Sequence, residues 1–394
     1  ATENPKLFSA DLVVKEIAKD LNKEHYFEPT NVAVYFGEEG KTVKDPYFKG
    51  KGPDRTGCIF CGACMTGCRH NSKNTLDRNY LFLAQQLGAE IIAENEVYNV
   101  SALGDNLGET GYKVEFKSSF GKKKYKSFTT KGVVFSGGVL GTVSLLLKLK
   151  GKSLPNLSEK VGCNIRTNNE SLVMVTSTEK KTKNYSKGIA IGSILHTDEN
   201  SHLEPVKYGE GSGFFRTLTM PSVHHKFVLF RLLGIVALLI KQPIRLLKTM
   251  FAKNFSKRTT ILLFMQTLDS TLRMKLGKFT LLKTEKEEGE KPNAFISEAL
   301  FLGKKFGKKV KGVPYANITD TLLGTPTTAH ILGGAVMGEN ILQGVIDKNN
   351  NVFGYKNMMI CDGSMISANP GVNPSLTITA ITELAMSNIP VKNK

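Results

Sequence analysis

The final stretch of about seventy residues constrains the fold more than any other part of the chain. Three blocks follow one another there: Ala329-His330-Ile-Leu-Gly-Gly-Ala-Val-Met-Gly338, Asn357-Met-Met-Ile-Cys-Asp362-Gly363-Ser364, and Gly371-Val-Asn373-Pro374-Ser375-Leu-Thr377. Met358–Cys361 is a short apolar run ended by Asp-Gly, which predicts a buried strand entering a tight turn that frees backbone amides. Asn373-Pro374-Ser375 predicts the capped start of a helix near Leu376, carried on by Thr377–Ser387. A helix N-terminus of this kind favours an anionic or electron-rich group. His330 beside paired glycines fits a satisfied structural histidine as well as a catalytic one, and the residue alone does not choose.

Composition sets the frame. The chain has 394 residues, 41% hydrophobic and 22% charged, which excludes disordered and fibrous classes. At about 150 residues per domain the length allows two or three, with a core large enough to need no disulfide staple. Lys and Arg number 53 against 35 Asp and Glu, a formal charge of +18. The clustered lysines, such as Lys122-Lys123-Lys124, read as solvated loops. There is no Trp and no basic stripe interleaved with aromatics, so nucleic-acid binding is not expected.

Periodicity predicts helices over Ala10–Leu21 and Asn74–Leu87, and strands at Ala89–Ala93 and Glu96–Ser101. Tyr112–Phe116 and Tyr125–Thr129 flank a Lys/Gly turn and predict a hairpin. Lys131-Gly-Val-Val-Phe-Ser is a short buried strand that Gly137-Gly138 turns into the helix Leu140–Leu149. Further strands are expected at Thr260–Gln266 and Thr271–Leu276.

The carboxyl-terminal blocks resemble the signature of the glucose-methanol-choline flavoprotein oxidoreductases, most of all the cholesterol-oxidase-like branch. That pattern is His-Pro-Leu-Gly-Gly-x-x-x-Gly, an Asp-Gly-Ser strand end, and Gly-Val-Asn-Pro before a Thr-Ile-Thr-Ala helix; this chain departs from it at Ile331. Ser136-Gly-Gly-Val-Leu-Gly141-Thr is similar to the family's second signature, and Glu96-Val97 to the strand that meets the adenine. The stretches from Leu154-Pro-Asn-Leu to Thr167-Asn-Asn-Glu170-Ser also fit this branch. The resemblance implies FAD as cofactor and oxidation of an alcohol by hydride transfer to it. By position, His330 orients or deprotonates the hydroxyl, and Asn373 lies near flavin and substrate. Glu204 is the candidate second carboxylate, with an ordinary strand residue as the alternative. Val97, Gly137, Gly138, Gly141, Asp362, Gly363, Pro374 and Ser375 are the implied cofactor residues.

No Gly-x-Gly-x-x-Gly turn occurs in the sequence; Gly209-Glu-Gly-Ser-Gly brings its third glycine too early. Ala1 is not an initiator Met, and no signal-peptide pattern follows it. The expectation is an upstream segment or separate chain that carries the fingerprint.

Cys58-x2-Cys61-x2-Cys64-x3-Cys68 has the spacing of bacterial ferredoxins. A [4Fe–4S] cluster on these four thiolates is expected, with Gly62 and Gly67 allowing close backbone approach. Zinc, a disulfide pair and free thiols are the alternatives, and Cys163 or Cys361 could replace Cys68. A cluster would send electrons to a protein acceptor.

Between Phe227 and Ile240 every residue is apolar or Gly except Arg231. Fourteen residues are too few to cross a bilayer, which takes about 20. On a helical wheel Arg231, Lys241, Arg245 and Lys248 fall opposite Leu232, Val236, Leu239, Leu246, Leu247 and Met250. That pattern fits an interfacial helix on anionic lipid, or a core helix of the substrate domain.

The expected architecture is α/β (α+β): an incomplete Rossmann-like FAD-binding domain with an antiparallel-sheet substrate domain. Residues 1–69 form an amino-terminal segment with the cysteines, and 70–155 and 350–394 the parts of the FAD domain. Residues 156–349 form the substrate domain, with the apolar stretch 227–251. The expected function is FAD-dependent oxidation of an apolar, sterol-like alcohol at a membrane surface, with a cytoplasmic, membrane-peripheral location. An iron–sulfur electron-transfer or assembly subunit, or a non-catalytic fragment, is the alternative.

Overall fold

A computed structural model describes residues 1–104, 106–179, 183–268, 270–278, 281–289 and 293–390. The chain divides into two compact units, each made of three separated segments. The first takes Ala1–Ile91, Asn169–Gln266 and Asn293–Thr327, and the second takes Ile92–Asn168, Thr267–Pro292 and Thr328–Lys394.

The first unit is built on the expected antiparallel sheet. Its seven strands run, in spatial order, Thr219–Pro221, Gly312–Asn317, Ser171–Ser177, Thr259–Gln266, Ser201–Val206, Ser193–His196 and Phe27–Pro29. Side chains alternate across the sheet. Val173, Val175, Leu203, Leu262 and Phe264 point to one face and pack against the helices Ser9–Asp20 and Ser297–Lys309, through Val14, Ile17, Leu302 and Phe306. Met174, Val206, Ile261, Leu263 and Tyr315 point to the other, where Leu246 and Leu238 of a two-helix hairpin cover them.

One charged pair sits inside this unit. Lys207 and Asp11 are both fully buried, with Lys207 Nζ 2.8 and 2.7 Å from the two Asp11 carboxylate oxygens. Asp11 also accepts the Phe8 N–H (2.8 Å) and the Ser193 hydroxyl (3.2 Å), so the carboxylate ties the first helix to the sheet. Burial pushes the Lys207 ammonium below its ordinary value, and Asp11 pulls it back.

The hairpin, Val228–Lys241 and Pro243–Met250, corrects the wheel. Arg231 does not lie on a solvated face: it is 3% exposed and is the one buried residue of its helix. Its guanidinium donates to the carbonyls of His225 (2.7 Å), Lys226 (3.1 Å), Leu322 (3.1 Å) and Thr321, and lies 5.0 Å from the Phe295 ring centroid. The carbonyls of Thr321 and Leu322 belong to a π-helical turn, Thr319–Leu323. The wheel places residues on a circle but cannot say which side meets protein.

Asp320 in that turn is buried, which pushes its carboxyl up from 3.8 to about 6, while the hydroxyls of Thr327 (2.9 Å) and Thr319 donate to it and pull the other way. A folded-state value above the unfolded one means that stability falls as pH rises from 3.8 through 6, with the full loss above 6. Asp320→Asn is therefore expected to raise the thermal midpoint at pH 8 and to leave it unchanged near pH 4. An equal gain at both pH values would contradict this origin.

The second unit holds the three-stranded antiparallel sheet Asn95–Ala102, Tyr112–Ser118 and Tyr125–Thr130, which includes the predicted hairpin. Beside it are the parallel pair Val133–Phe135 and Met358–Ile360, the helices Gly138–Leu149 and Ser375–Ser387, and the hairpin Thr271–Leu276 with Leu282–Glu288. Its core joins Val100, Tyr112, Leu146, Leu154, Val345 and Met358. Ala89–Ala93 forms no strand: Ile91 and Ile92 are exposed and pair with nothing among the described residues. The helix expected over Asn74–Leu87 is regular only at Leu76–Arg78, as a 3-10 turn, and Tyr80–Gln86.

Candidate active site

The site in the second unit starts where the strand Val133–Phe135 hands over to the helix Gly138–Leu149. Gly138 has φ +71°, and a Cβ at Gly138 or Gly141 would meet nothing within 4 Å. One side of the helix start is therefore open. A cavity of about 790 Å³ lies against it, bounded by Val97, Val134, Gly137, Leu140, Gly141 and Lys148 with their neighbours. Three of the eight predicted cofactor residues, Val97, Gly137 and Gly141, line this space. The first turn of a 12-residue helix, apolar walls and the cations Lys117 and Lys148 make a donor set that fits a nucleotide cofactor such as FAD.

Asp362 also holds the fold of the site together. Its Oδ1 accepts the N–H (2.8 Å) and the hydroxyl (2.5 Å) of Ser364, and its Oδ2 accepts the Thr142 hydroxyl at 2.5 Å. Thr142 Oγ1 in turn accepts the Gly137 N–H at 3.1 Å. The buried carboxylate thus clamps the turn Gly363–Met365 to the start of the cradle helix. Thr142 and Ser364 carry that clamp and were not singled out by sequence, because their partners are more than 200 residues apart for one pair and two apart for the other.

The segment after His330 is held between two backbones. Leu332 exchanges both main-chain hydrogen bonds with Arg166 (2.8 and 3.0 Å), Gly333 N donates to Gly363 O at 3.0 Å, and Ala335 N donates to Ser364 O at 2.9 Å. At Gly333 (φ +80°) a Cβ would lie 2.0 Å from Asn164 O, so no side chain fits there. His330 itself is half-buried, and its N–H donates to Thr328 Oγ1 at 3.1 Å.

Asn373 is exposed at the end of a loop that two amides hold. Asn168 Nδ2 donates to Val372 O at 3.0 Å, and Asn369 Nδ2 donates to Thr167 O and Leu268 O, each at 3.2 Å. Pro374 occupies the cap position of the helix Ser375–Ser387 with no side-chain cap, so the predicted Asn/Ser cap is not formed. His330, Asn373 and the cradle all belong to the second unit.

Glu204 belongs to the first unit. It lies on the strand Ser201–Val206, 3% exposed, opposite Leu263 and on the sheet face roofed by the helix hairpin. His202 Nε2 is 3.7 Å from its Oε1, which places an imidazole and a carboxylate side by side on one buried face.

The expected cluster on the cysteine segment finds no support in the structure. All six cysteines carry free thiols, and among the described residues no group of three or more His, Cys, Asp or Glu side chains could hold a metal ion. Burial pushes Cys58 up to about 11 and also raises Cys64. At Cys68 burial acts in the same sense, but the amides of Lys73, His70 and Ser72 outweigh it and lower the thiol. Gly62 (φ +76°) gives close approach to Ser186, not to a cluster: a Cβ there would sit 1.9 Å from Ser186 O. The loop instead wraps an apolar knot of Val34, Phe60 and Ile189. Cys58, Cys61, Cys64 and Cys68 line one small pocket together with His70, and nothing in this arrangement supports a [4Fe–4S] centre, zinc or a disulfide pair on them.

This chain belongs to the GMC oxidoreductase family: models of that family match residues 50–168 and 294–382. Its relatives include a cholesterol oxidase of Acinetobacter baumannii, 40% identical over 403 residues that cover 100% of this chain and 72% of that protein. A cholesterol oxidase of Mycobacterium tuberculosis is 37% identical, over 100% of this chain and 70% of that one. A crystal structure of formate oxidase shares the fold, with TM-score 0.51 at 15% identity, over 88% of this chain and 66% of that structure.

Proposed function

We propose that this chain is part of an FAD-dependent oxidoreductase that oxidises a hydroxyl on an apolar, sterol-like alcohol and meets that substrate at a membrane surface. The observation that supports it most is the similarity to cholesterol oxidases over 100% of this chain, together with the presence in one unit of His330, Asn373 and an open glycine cradle. When bound, FAD supplies the hydride acceptor. The protein's part is to bind the alcohol away from water, orient its C–H bond and take its O–H proton. A neutral ring nitrogen of His330 accepts that proton as the C–H hydride departs, so the carbinol leaves as a carbonyl. Asn373 donates its side-chain amide to the oxygen, and Glu204 is the candidate second carboxylate.

Anaerobic mixing of the flavin-loaded protein with a 3-hydroxysterol is expected to bleach the 450 nm flavin band. A small polar alcohol or a sugar at the same concentration should leave it unchanged. Bleaching by the polar alcohol alone, or by neither, would overturn the substrate class.

A further inference from the structure

We propose that the helix hairpin of residues 227–251 is the membrane-docking element, that it lies flat in the headgroup region with its Leu/Phe face down, and that the surface it takes is anionic lipid. This deepens the membrane-surface part of the function proposed above and rests on it.

The first helix of the hairpin buries its charge and leaves most of its large apolar side chains exposed. A helix on a globular protein turns its apolar stripe to the core and its charges to water. Here Val228–Lys241 buries only its arginine, and the polar pin formed by the Arg231 guanidinium and its four carbonyls holds the helix in place. Leu238 packs on the sheet, while most of the helix's other large hydrophobic side chains are left outward. Phe227, Leu229, Phe230, Leu233, Ile240 (75%), Ile244 and Phe251 (73%) are all more than half exposed, seven large apolar side chains within 25 residues along both helices. Scattered surface leucines need no explanation, but a patch of this kind marks a binding surface.

Charge selects the occupant. From residue 211 to residue 268 the chain has no Asp or Glu, and Lys226, Lys241, Lys248 and Lys253 of the same segment are exposed. A second copy of the chain docked face to face would set these lysines against themselves. An anionic bilayer meets them with phosphates, and the lysine stems reach past the apolar contact to the headgroups. Length excludes a spanning mode: 14 residues of helix reach about 21 Å, and no helix among the described residues is long and apolar enough to cross a membrane. Pro243 at the first turn of the second helix breaks the run, so that the two pieces lie side by side in the interface plane.

The location suits delivery of an apolar substrate. The hairpin covers the sheet face that carries Glu204; Glu204 is on the strand three places from Gly312–Asn317, against which the second helix packs. At about 4.8 Å per strand this is about 14 Å.

The chain contains no tryptophan, which makes the test direct. Phe230→Trp and, as an independent second site, Phe251→Trp are compared with Phe120→Trp, exposed in the other unit. With vesicles of phosphatidylglycerol and phosphatidylcholine, the two hairpin tryptophans should shift to the blue and be quenched by bromine-labelled acyl chains, and Trp at 120 should do neither. Lys241→Gln/Lys248→Gln/Lys253→Gln should weaken partitioning by about a hundredfold, at about fivefold per lysine. Three results overturn the proposal. Vesicle binding with unshifted hairpin tryptophans would mean that another surface docks, leaving the membrane reading intact. Absence of flotation with any vesicle would remove both. A blue shift that grows with protein concentration and needs no lipid would identify a second copy as the occupant.

Discussion

Replacing His330 by alanine is expected to lower kcat of the flavin-loaded enzyme by about 10²–10⁴-fold, the range for a lost general base. The fold should survive, because the side chain is half-buried and the segment behind it is held by main-chain bonds of Leu332, Gly333 and Ala335 that alanine leaves intact. Rapid-mixing measurement of flavin reduction separates this loss from later steps, and substrate binding should change far less than the reduction rate. Asn373→Ala should lower the same rate, since the loop amides of Asn168 and Asn369 keep the backbone of residues 369–373 in place without it. Full activity in both variants would remove His330 and Asn373 from the chemistry, whatever the cofactor content.

Lys207→Met is expected to cost about 3–5 kcal/mol of stability, the penalty for leaving a buried charge without its partner. Asp11 would keep only the Phe8 amide and the Ser193 hydroxyl, neither of which is charged. The double replacement Lys207→Met/Asp11→Leu removes both charges and should regain most of the loss, as buried pairs replaced by apolar residues of similar volume often do. Denaturant titration of the three proteins gives the comparison. A single variant within about 1 kcal/mol of the parent would mean that Asp11 is neutral, or reaches water, in the folded protein.

Much of the second unit was legible in the sequence because its signals are local. Val-Val-Phe followed by Gly-Gly announces a strand, a turn and a helix without help from elsewhere, and the structure places Val133–Phe135 and Gly138–Leu149 there. The paired glycines mark tight packing in the same way, Gly333 against the Asn164 backbone and Gly334 against the Ile165 and Val143 side chains. What failed depended on distant partners. Ile91 and Ile92 look like strand residues, but a strand exists only where a neighbour accepts its hydrogen bonds. Arg231 looks like a solvated cation until the carbonyls of Thr321 and Leu322, ninety residues on, are brought to it. Four cysteines at ferredoxin spacing say that the side chains share a pocket, not what they hold. The amides of Asn168 and Asn369, which hold the Asn373 loop, give no local sign at all.

The alternation of the chain between two units has a consequence for synthesis. The seven-stranded sheet has Phe27–Pro29 at one edge and Gly312–Asn317 second from the other, so it cannot close until most of the polypeptide has left the ribosome. At about 5–20 residues per second the wait between these strands is on the order of 15–60 s. During that time Val173, Leu203 and Phe264 have no helix Ser297–Lys309 to cover them. Yield in a host cell should therefore respond to chaperone supply and growth temperature more than to the final stability of the protein, and neither unit can be produced by cutting the gene at one point.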